Sequence, residues 1–344
     1  MKSIVLEAPG RLTVADAAEP DAPRAGEATV RVLRVGICGT DLHAYKGNQP
    51  FMAYPVILGH ELAVEIVALG PEAPPKLSVG TRCTVVPYLA DGTCPACQRG
   101  KPNCCSSLKV LGVHIDGGMR ERLNLPTWSL IPADDIDLES LALVEMLAIG
   151  AHAVRRARLT DEDTVLVVGA GPIGLSILAF ARGRASRVLA IDKDPSRTAF
   201  LAQAGLCESL EVDEEIGVRS QLLTRLGGTL PNIVIDATGH RGSMEQTVDL
   251  VDYGGRVVFV GHTKGTLEFK NPKLHGKELE LVFSRNANHA DFEQVLAELR
   301  GGRLDISTWI STRASMTDLV DALPGWTQPG SHVIKAVASW ASAP

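Results

Sequence analysis

The sequence predicts a two-domain α/β protein in which a β-rich domain is joined to a doubly wound parallel sheet. Three observations lead there. The 344 residues, 45% of them hydrophobic, exceed the size at which one apolar core usually divides in two. Residues 1–145 hold short β-like runs broken by Gly and Pro, with no long amphipathic helical pattern before 138–158. From Thr164 onward strands and helices alternate, the rhythm of a parallel sheet.

In the first part the β-like runs are typified by 28–35 and 62–69, and the paired prolines of PEAPPKL (71–77) mark a surface loop. The alternating part begins with TVLVVGA (164–170), an apolar helix over 173–182, the strand RVLAID (187–192) and a helix near 196–204. NIVIDATG (232–239), a helix across 244–251, RVVFVG (256–261) and ELELVFS (278–284) complete it. These strands read as nearly continuous apolar runs, as expected where helices cover both faces of a sheet. A helix over 291–299, polar turns and the β-like HVIKAVAS (332–339) follow, a return to the first pattern that predicts a tail rejoining the first domain. There is no internal repeat and no low-complexity linker.

A net charge of −6 offers no basic surface of the kind that neutralises phosphates, which argues against a nucleic-acid partner. The start MKSIVLEAPG lacks a basic segment leading into a long apolar stretch, and no segment offers ~18 uninterrupted apolar residues, so a cytosolic protein without a membrane span is expected. Four of the seven cysteines, Cys94, Cys97, Cys104 and Cys105, crowd into twelve positions. An odd total with such a cluster points to metal ligation rather than a disulfide framework. Cys38, Cys83 and Cys207 stand alone.

Gly169-Ala-Gly171-Pro172-Ile173-Gly174 follows a buried strand and opens a helix, the context that a dinucleotide-binding fingerprint requires. Gly169 permits the tight turn, Gly171 the approach of a pyrophosphate, and Gly174 close packing of helix on strand, while the helix start supplies free N–H groups. Asp192 ends the next strand, eighteen positions past Gly174, where a carboxylate binds the adenosine ribose hydroxyls and repels a 2′-phosphate. NAD is therefore favoured over NADP. Lys193 and Arg197 bear on this choice: a cation there can take up a phosphate, or be an ordinary solvated charge at a helix start.

Cys38 in GICGTDLH (36–43) and His60-Glu61 in LGHE (58–61) do not have zinc-finger spacing, but scattered ligands suit a catalytic zinc with about three protein donors and an open position. Taken singly, a lone Cys is usually a core residue and a lone His a hydrogen-bonded one. These two motifs, VEMLAIGAHAV (144–154) and VLVVGAGPIGL (165–175) stand in the order and approximate spacing of the zinc-containing medium-chain alcohol and polyol dehydrogenases, and the chain resembles that family over essentially its whole length.

The resemblance implies a GroES-like catalytic domain over 1–150 and 286–344, a Rossmann domain over 151–285, and an active site in the cleft. It also implies that Cys38, His60 and Glu61 hold a catalytic zinc, with Glu145 within reach of the metal or its water. By the same likeness Thr40 and His43 relay the hydroxyl proton to solvent through the nicotinamide ribose, after zinc has lowered the pKa of the substrate hydroxyl. The alternatives are a hydroxyl bonded to its own turn and a surface imidazole. A Glu at 145 matches the polyol and threonine dehydrogenase branches better than the ethanol-oxidising one. Met146 replaces the usual Pro, a packing change.

The family's structural-zinc lobe has four cysteines, whereas this chain reads Asp91-Gly-Thr-Cys94-Pro-Ala-Cys97 and then Cys105. An Asp-Cys-Cys-Cys set is feasible for zinc. The other reading is a metal-free loop with free thiols, and Cys104 is one residue out of register.

His114 in GVHIDGG (112–118) and Arg285 and Asn286 in FSRNAN (283–288) fall in regions that line the cleft of relatives, in a pairing that most resembles the sugar-acid, L-galactonate 5-dehydrogenase-like branch. An arginine can clamp a carboxylate with two parallel hydrogen bonds, or serve only the water around the zinc. A neutral polyol or L-threonine then becomes the alternative substrate. A crystallin-like protein without turnover and a zinc-free quinone reductase are the other classes; neither needs Cys38, Thr40, His43, His60, Glu61 and Glu145 together. The last strand of the parallel sheet would be an apolar edge in a monomer, so a homo-oligomer is expected.

Overall fold

A computed structural model describes residues 1–49, 52–213, 215–328 and 330–340. The chain divides into two compact units, Met1–Met146 with Asn288–Pro344, and Leu147–Ala287.

The first unit is β-rich. Its seven-stranded sheet runs Leu130–Pro132, Arg82–Val85, Glu61–Leu69, Glu27–Ile37, Lys335–Ser339, Ile310–Ser315, with Arg122–Pro126 also paired to Glu27–Ile37. The central strand Glu27–Ile37 is buried along most of its length, and Val30, Val32 and Val35 pack with Leu62, Val64 and Ile66 in one apolar core. Register then fixes what meets at its C-terminal end. Gly36 lies opposite Glu61 on one side and opposite Val337 on the other, and Ile37 opposite Ala336. Cys38, Glu61 and Lys335 are thereby brought to one corner of the sheet from three distant stretches of sequence.

Three elements of this unit escape a reading by periodicity. Gly39–Tyr45 is a seven-residue helix, too short to show a 3.6-residue pattern, and it starts because the Asp41 carboxylate accepts the Cys38 amide at 2.9 Å. Where polar turns are expected, the chain forms the strand Ile310–Ser315 and the helix Leu319–Trp326. The strand is polar because it is a half-exposed edge paired only to Lys335–Ser339. The helix contains Pro324 and Gly325 yet buries Leu319 and Leu323 in the core, tertiary packing overriding propensity.

The second unit is a six-stranded, wholly parallel sheet in the order Glu208–Glu211, Arg187–Asp192, Thr164–Val168, Ile233–Asp236, Arg256–Phe259, Glu280–Phe283. The four inner strands are continuous apolar runs, as expected between two helical layers. One edge differs. Glu208–Glu211 (ESLE) has no apolar periodicity and is tied on by Arg187, whose Nε and Nη2 bond Glu208 at 2.7 and 2.8 Å. Strand order reverses at Thr164–Val168, the switch point where open α/β sheets bind ligands, and the glycine turn leaves from there. Among the described residues no helix is long and apolar enough to cross a membrane.

Candidate active site

Cys38, His60 and Glu61 each bring a potential ligand atom to one place, all within 4.8 Å of one another. His60 and Glu61 are buried and Cys38 half-buried. Glu61 is fully buried, and its two oxygens differ. Oε1 accepts the Lys335 ammonium at 2.6 Å, while Oε2 has no hydrogen-bond partner among the described residues. The space around Oε2 exists because residue 36 is glycine: a Cβ there would stand 2.1 Å from it. A buried carboxylate oxygen left without a partner beside a thiol and an imidazole is costly unless a cation completes it. The S, N, O donor set fits zinc.

Asp41, on the helix that Cys38 caps, is fully buried with Oδ1 3.9 Å from His60 Nδ1. Burial alone would lower the His60 pKa, but the neighbouring Cys38, Asp41 and Glu145 charges raise it well above the usual histidine value. Glu145 opens the helix Val144–Ala157 beside this group without belonging to it. Burial, reinforced by Glu61, pushes its carboxyl up to about 7, and the Tyr88 hydroxyl donates to its Oε1. On the capped helix Thr40 is half-buried and His43 exposed, three residues further on. Residues at that spacing share a helix face, so the pair runs from the interior to solvent.

A second group, Asp91, Cys94, Cys97 and Cys105, also converges within 4.8 Å, while Cys104 is exposed and outside it. Asp91 Oδ1 accepts the amides of Thr93 and Cys94 at 2.8 and 2.9 Å, which hold its carboxyl well below the usual range. Cys94 caps the short helix Pro95–Gln98 and lies 3.6 Å, sulfur to sulfur, from Cys97. The Cys97 amide pulls the Cys94 thiol down to about 6.

In the parallel unit Gly169 turns at a φ of +98°, and a Cβ on Gly174 would lie 1.8 Å from the Gly169 carbonyl oxygen, so both positions require glycine. Beside Gly171 the only close atom is Arg197 Nη1, 3.3 Å from the built Cβ, which leaves the backbone open to a ligand ahead of the helix Pro172–Ala181. Asp192 accepts the Ala170 amide at 2.7 Å and the Asp194 amide at 2.9 Å, and Arg197 Nη1 lies 3.6 Å from its Oδ2. Arg197 is therefore paired with Asp192, not a solitary charge.

The substrate candidates are divided. His114 is in the β-rich unit, where its Nδ1 accepts the Val110 amide at 3.1 Å. Arg285 and Asn286 belong to the parallel unit. Arg285 is exposed, and Asn286 adopts a left-handed φ of 52° with its buried Nδ2 unpartnered.

Residues 24–135 match the alcohol dehydrogenase GroES-like domain, and residues 172–301 match the zinc-binding dehydrogenase domain. The L-galactonate-5-dehydrogenase of Escherichia coli K12 is 42% identical over 92% of this chain and 93% of its own length. The chain belongs to the zinc-binding dehydrogenase family. A 2-dehydro-3-deoxy-L-galactonate 5-dehydrogenase of Pseudoalteromonas atlantica is 29% identical over 88% of each chain. Among solved structures, the RspB alcohol dehydrogenase of E. coli CFT073 in complex with NADH superposes with a TM-score of 0.91 at 31% identity, covering 99% of both chains. This protein is thus an oxidoreductase with a GroES-like and a Rossmann fold.

In this dehydrogenase three residues around the metal candidates escape inspection of sequence: Asp41, Tyr88 and Lys335. Asp41 has a local signal, because an acidic residue three past a helix start is part of a capping box. Tyr88 and Lys335 have none. Each is an aromatic or basic residue in a short β-run, and its importance lies in a contact with a residue far away in sequence.

Proposed function

We propose that this dehydrogenase oxidises a secondary hydroxyl of a sugar acid with NAD, using a zinc ion held by Cys38, His60 and Glu61. The observation that carries the reading is the buried Glu61 carboxylate, which converges with a thiol and an imidazole and whose Oε2 has no partner among the described residues. Zinc at this group would supply a Lewis acid that lowers the pKa of the substrate hydroxyl. Thr40, half-buried, takes the hydroxyl proton and His43, exposed, passes it to solvent. Asp192 favours NAD, because a 2′-phosphate beside its carboxylate meets like charge. Arg285 binds the substrate carboxylate; the names of the two galactonate-type relatives support an acid substrate.

Initial rates on aldonates, matched alditols and L-threonine, each with NAD and NADP, test substrate and cofactor together. Aldonates with NAD are expected to be fastest, Arg285→Ala to lose more on aldonates than on alditols, and Asp192→Ser to narrow the gap between NAD and NADP. Alditols faster than their aldonates, or equal losses in Arg285→Ala, would defeat the carboxylate clamp. A wild type faster with NADP would defeat the role of Asp192, and no turnover on any of them would favour a crystallin-like role.

The Asp91, Cys94, Cys97, Cys105 group is proposed to hold a second, structural zinc, its four donors closing a tetrahedron. Protein purified without chelator should contain about two zinc ions per chain, and Cys94→Ser about one. A value near one in wild type, unchanged by Cys94→Ser, refutes the second site.

Among the described residues the strand Glu280–Phe283 pairs on one side only, and Phe283 is 60% exposed. An apolar free edge of this kind is proposed to pair with a second copy. Light scattering at micromolar concentration should give a multiple of 36.6 kDa; the monomer mass rules the pairing out. A cytosolic location is also proposed, supported by the seven free cysteines.

A further inference from the structure

Two buried carboxylates, Glu61 and Glu145, stand at the Cys38 and His60 corner, and their partners differ in kind. Glu61 is held at one oxygen by the Lys335 cation, its other oxygen has no hydrogen-bond partner among the described residues, and its carboxylate converges with Cys38 and His60. Glu145, only 4% exposed, is held at Oε1 by a neutral donor, the Tyr88 hydroxyl, and stays outside the group of three.

Tyr88 is itself fixed at both ends. Its backbone lies in the two-stranded ladder Tyr88–Leu89 with Lys109–Val110, opposite Val110. Its ring, buried, meets Phe292 edge-on with centroids 6.3 Å apart at 75°. The hydroxyl is thus presented by a packed side chain with almost no rotamer freedom, whereas Glu145 has three side-chain torsions.

Three protein donors leave zinc one open position. A second buried carboxylate, within range of the His60 and Glu61 charges, is a strong competitor for it, since an unsolvated anion gains more from a cation than a neutral hydroxyl does. We propose that Tyr88 is a positioning residue that anchors Glu145 off the metal, so that the fourth position stays open to a substrate hydroxyl. This rests on Cys38, His60 and Glu61 being the ligands.

The test uses the full-length protein loaded with cobalt(II), whose visible bands report ligand number, with imidazole as the probe of the open position. Subtracting the spectrum of Cys38→Ser removes the cobalt of the cysteine lobe. Tyr88→Phe keeps the ring and its contact with Phe292 and deletes only the hydroxyl. Its cobalt bands should shift as a further oxygen ligand joins, and the apparent Kd for imidazole should rise about tenfold if Glu145 fills the position about nine-tenths of the time. Adding Glu145→Gln to Tyr88→Phe should restore the wild-type affinity for imidazole. Identical bands and imidazole affinity in wild type and Tyr88→Phe, at equal cobalt content, overturn the anchor and leave the ligand assignment standing. Equal cobalt content in Cys38→Ser and wild type overturns the ligand assignment, and the anchor with it.

Discussion

Thr40→Ala is expected to lower turnover by about two to four orders of magnitude, the scale that a positioned proton relay contributes. The helix Gly39–Tyr45 puts the Thr40 hydroxyl in a half-buried place one residue past the capped turn, and His43 on the same face in solvent. On the proposed relay, the substrate proton then has no internal acceptor at that point. Metal content and NAD affinity should be unchanged, because Thr40 is in neither ligand group. Thr40→Ser should recover most of the rate, since it restores the oxygen. Wild-type turnover in Thr40→Ala removes the residue from the mechanism, and a parallel loss of metal would reassign it to structure.

Lys335→Met is expected to destabilise the metal-free protein by about 3–5 kcal/mol, the usual cost of breaking a buried ion pair at one partner. Lys335 is 2% exposed and Glu61 0%, and the ammonium also donates to the Ile37 carbonyl at 2.9 Å. Burial by itself lowers the pKa of this lysine, but Glu61 and the nearby Cys38 more than offset that, and the net shift is upward. With the folded value raised, the stabilisation is whole at every pH below the unfolded value of about 10.4 and is lost only as pH rises through the folded one. The deficit of Lys335→Met should therefore be constant between about pH 6 and 9. The double variant Lys335→Met, Glu61→Gln should be less destabilised than the single one, because no charge is left buried alone. Urea unfolding of chelated protein measures all three, and a single-variant loss below about 1 kcal/mol would show that Glu61 does not depend on the pair.

The difference between these two residues is also the difference between what can and cannot be read along the chain. Thr40 sits in GICGTDLH, next to a candidate ligand, where a local motif marks it. Lys335 sits in HVIKAVAS, which reads as an ordinary terminal strand with one lysine in it. Its partner Glu61 is 274 residues away. The same holds for one edge strand of the parallel sheet: the apolar strands announce themselves, whereas ESLE is a strand only because Arg187 and the neighbouring backbone make it one.

By itself the sequence determined the fold class and the glycine turn with its acidic partner Asp192, and its family resemblance singled out the candidate thiol, imidazole and carboxylate donors. Those features are written in periods of two and 3.6 residues and in short motifs, where cause and effect lie within one turn or one strand. The tertiary structure alone decided how the donors are sorted: that Glu61 joins Cys38 and His60 with one oxygen left bare, that Lys335 takes the other, and that Tyr88 holds Glu145 aside. The reason is register. Which side chains share a buried corner is set by the pairing of strands far apart in the chain, and a slip of one residue would turn each of them to the opposite face.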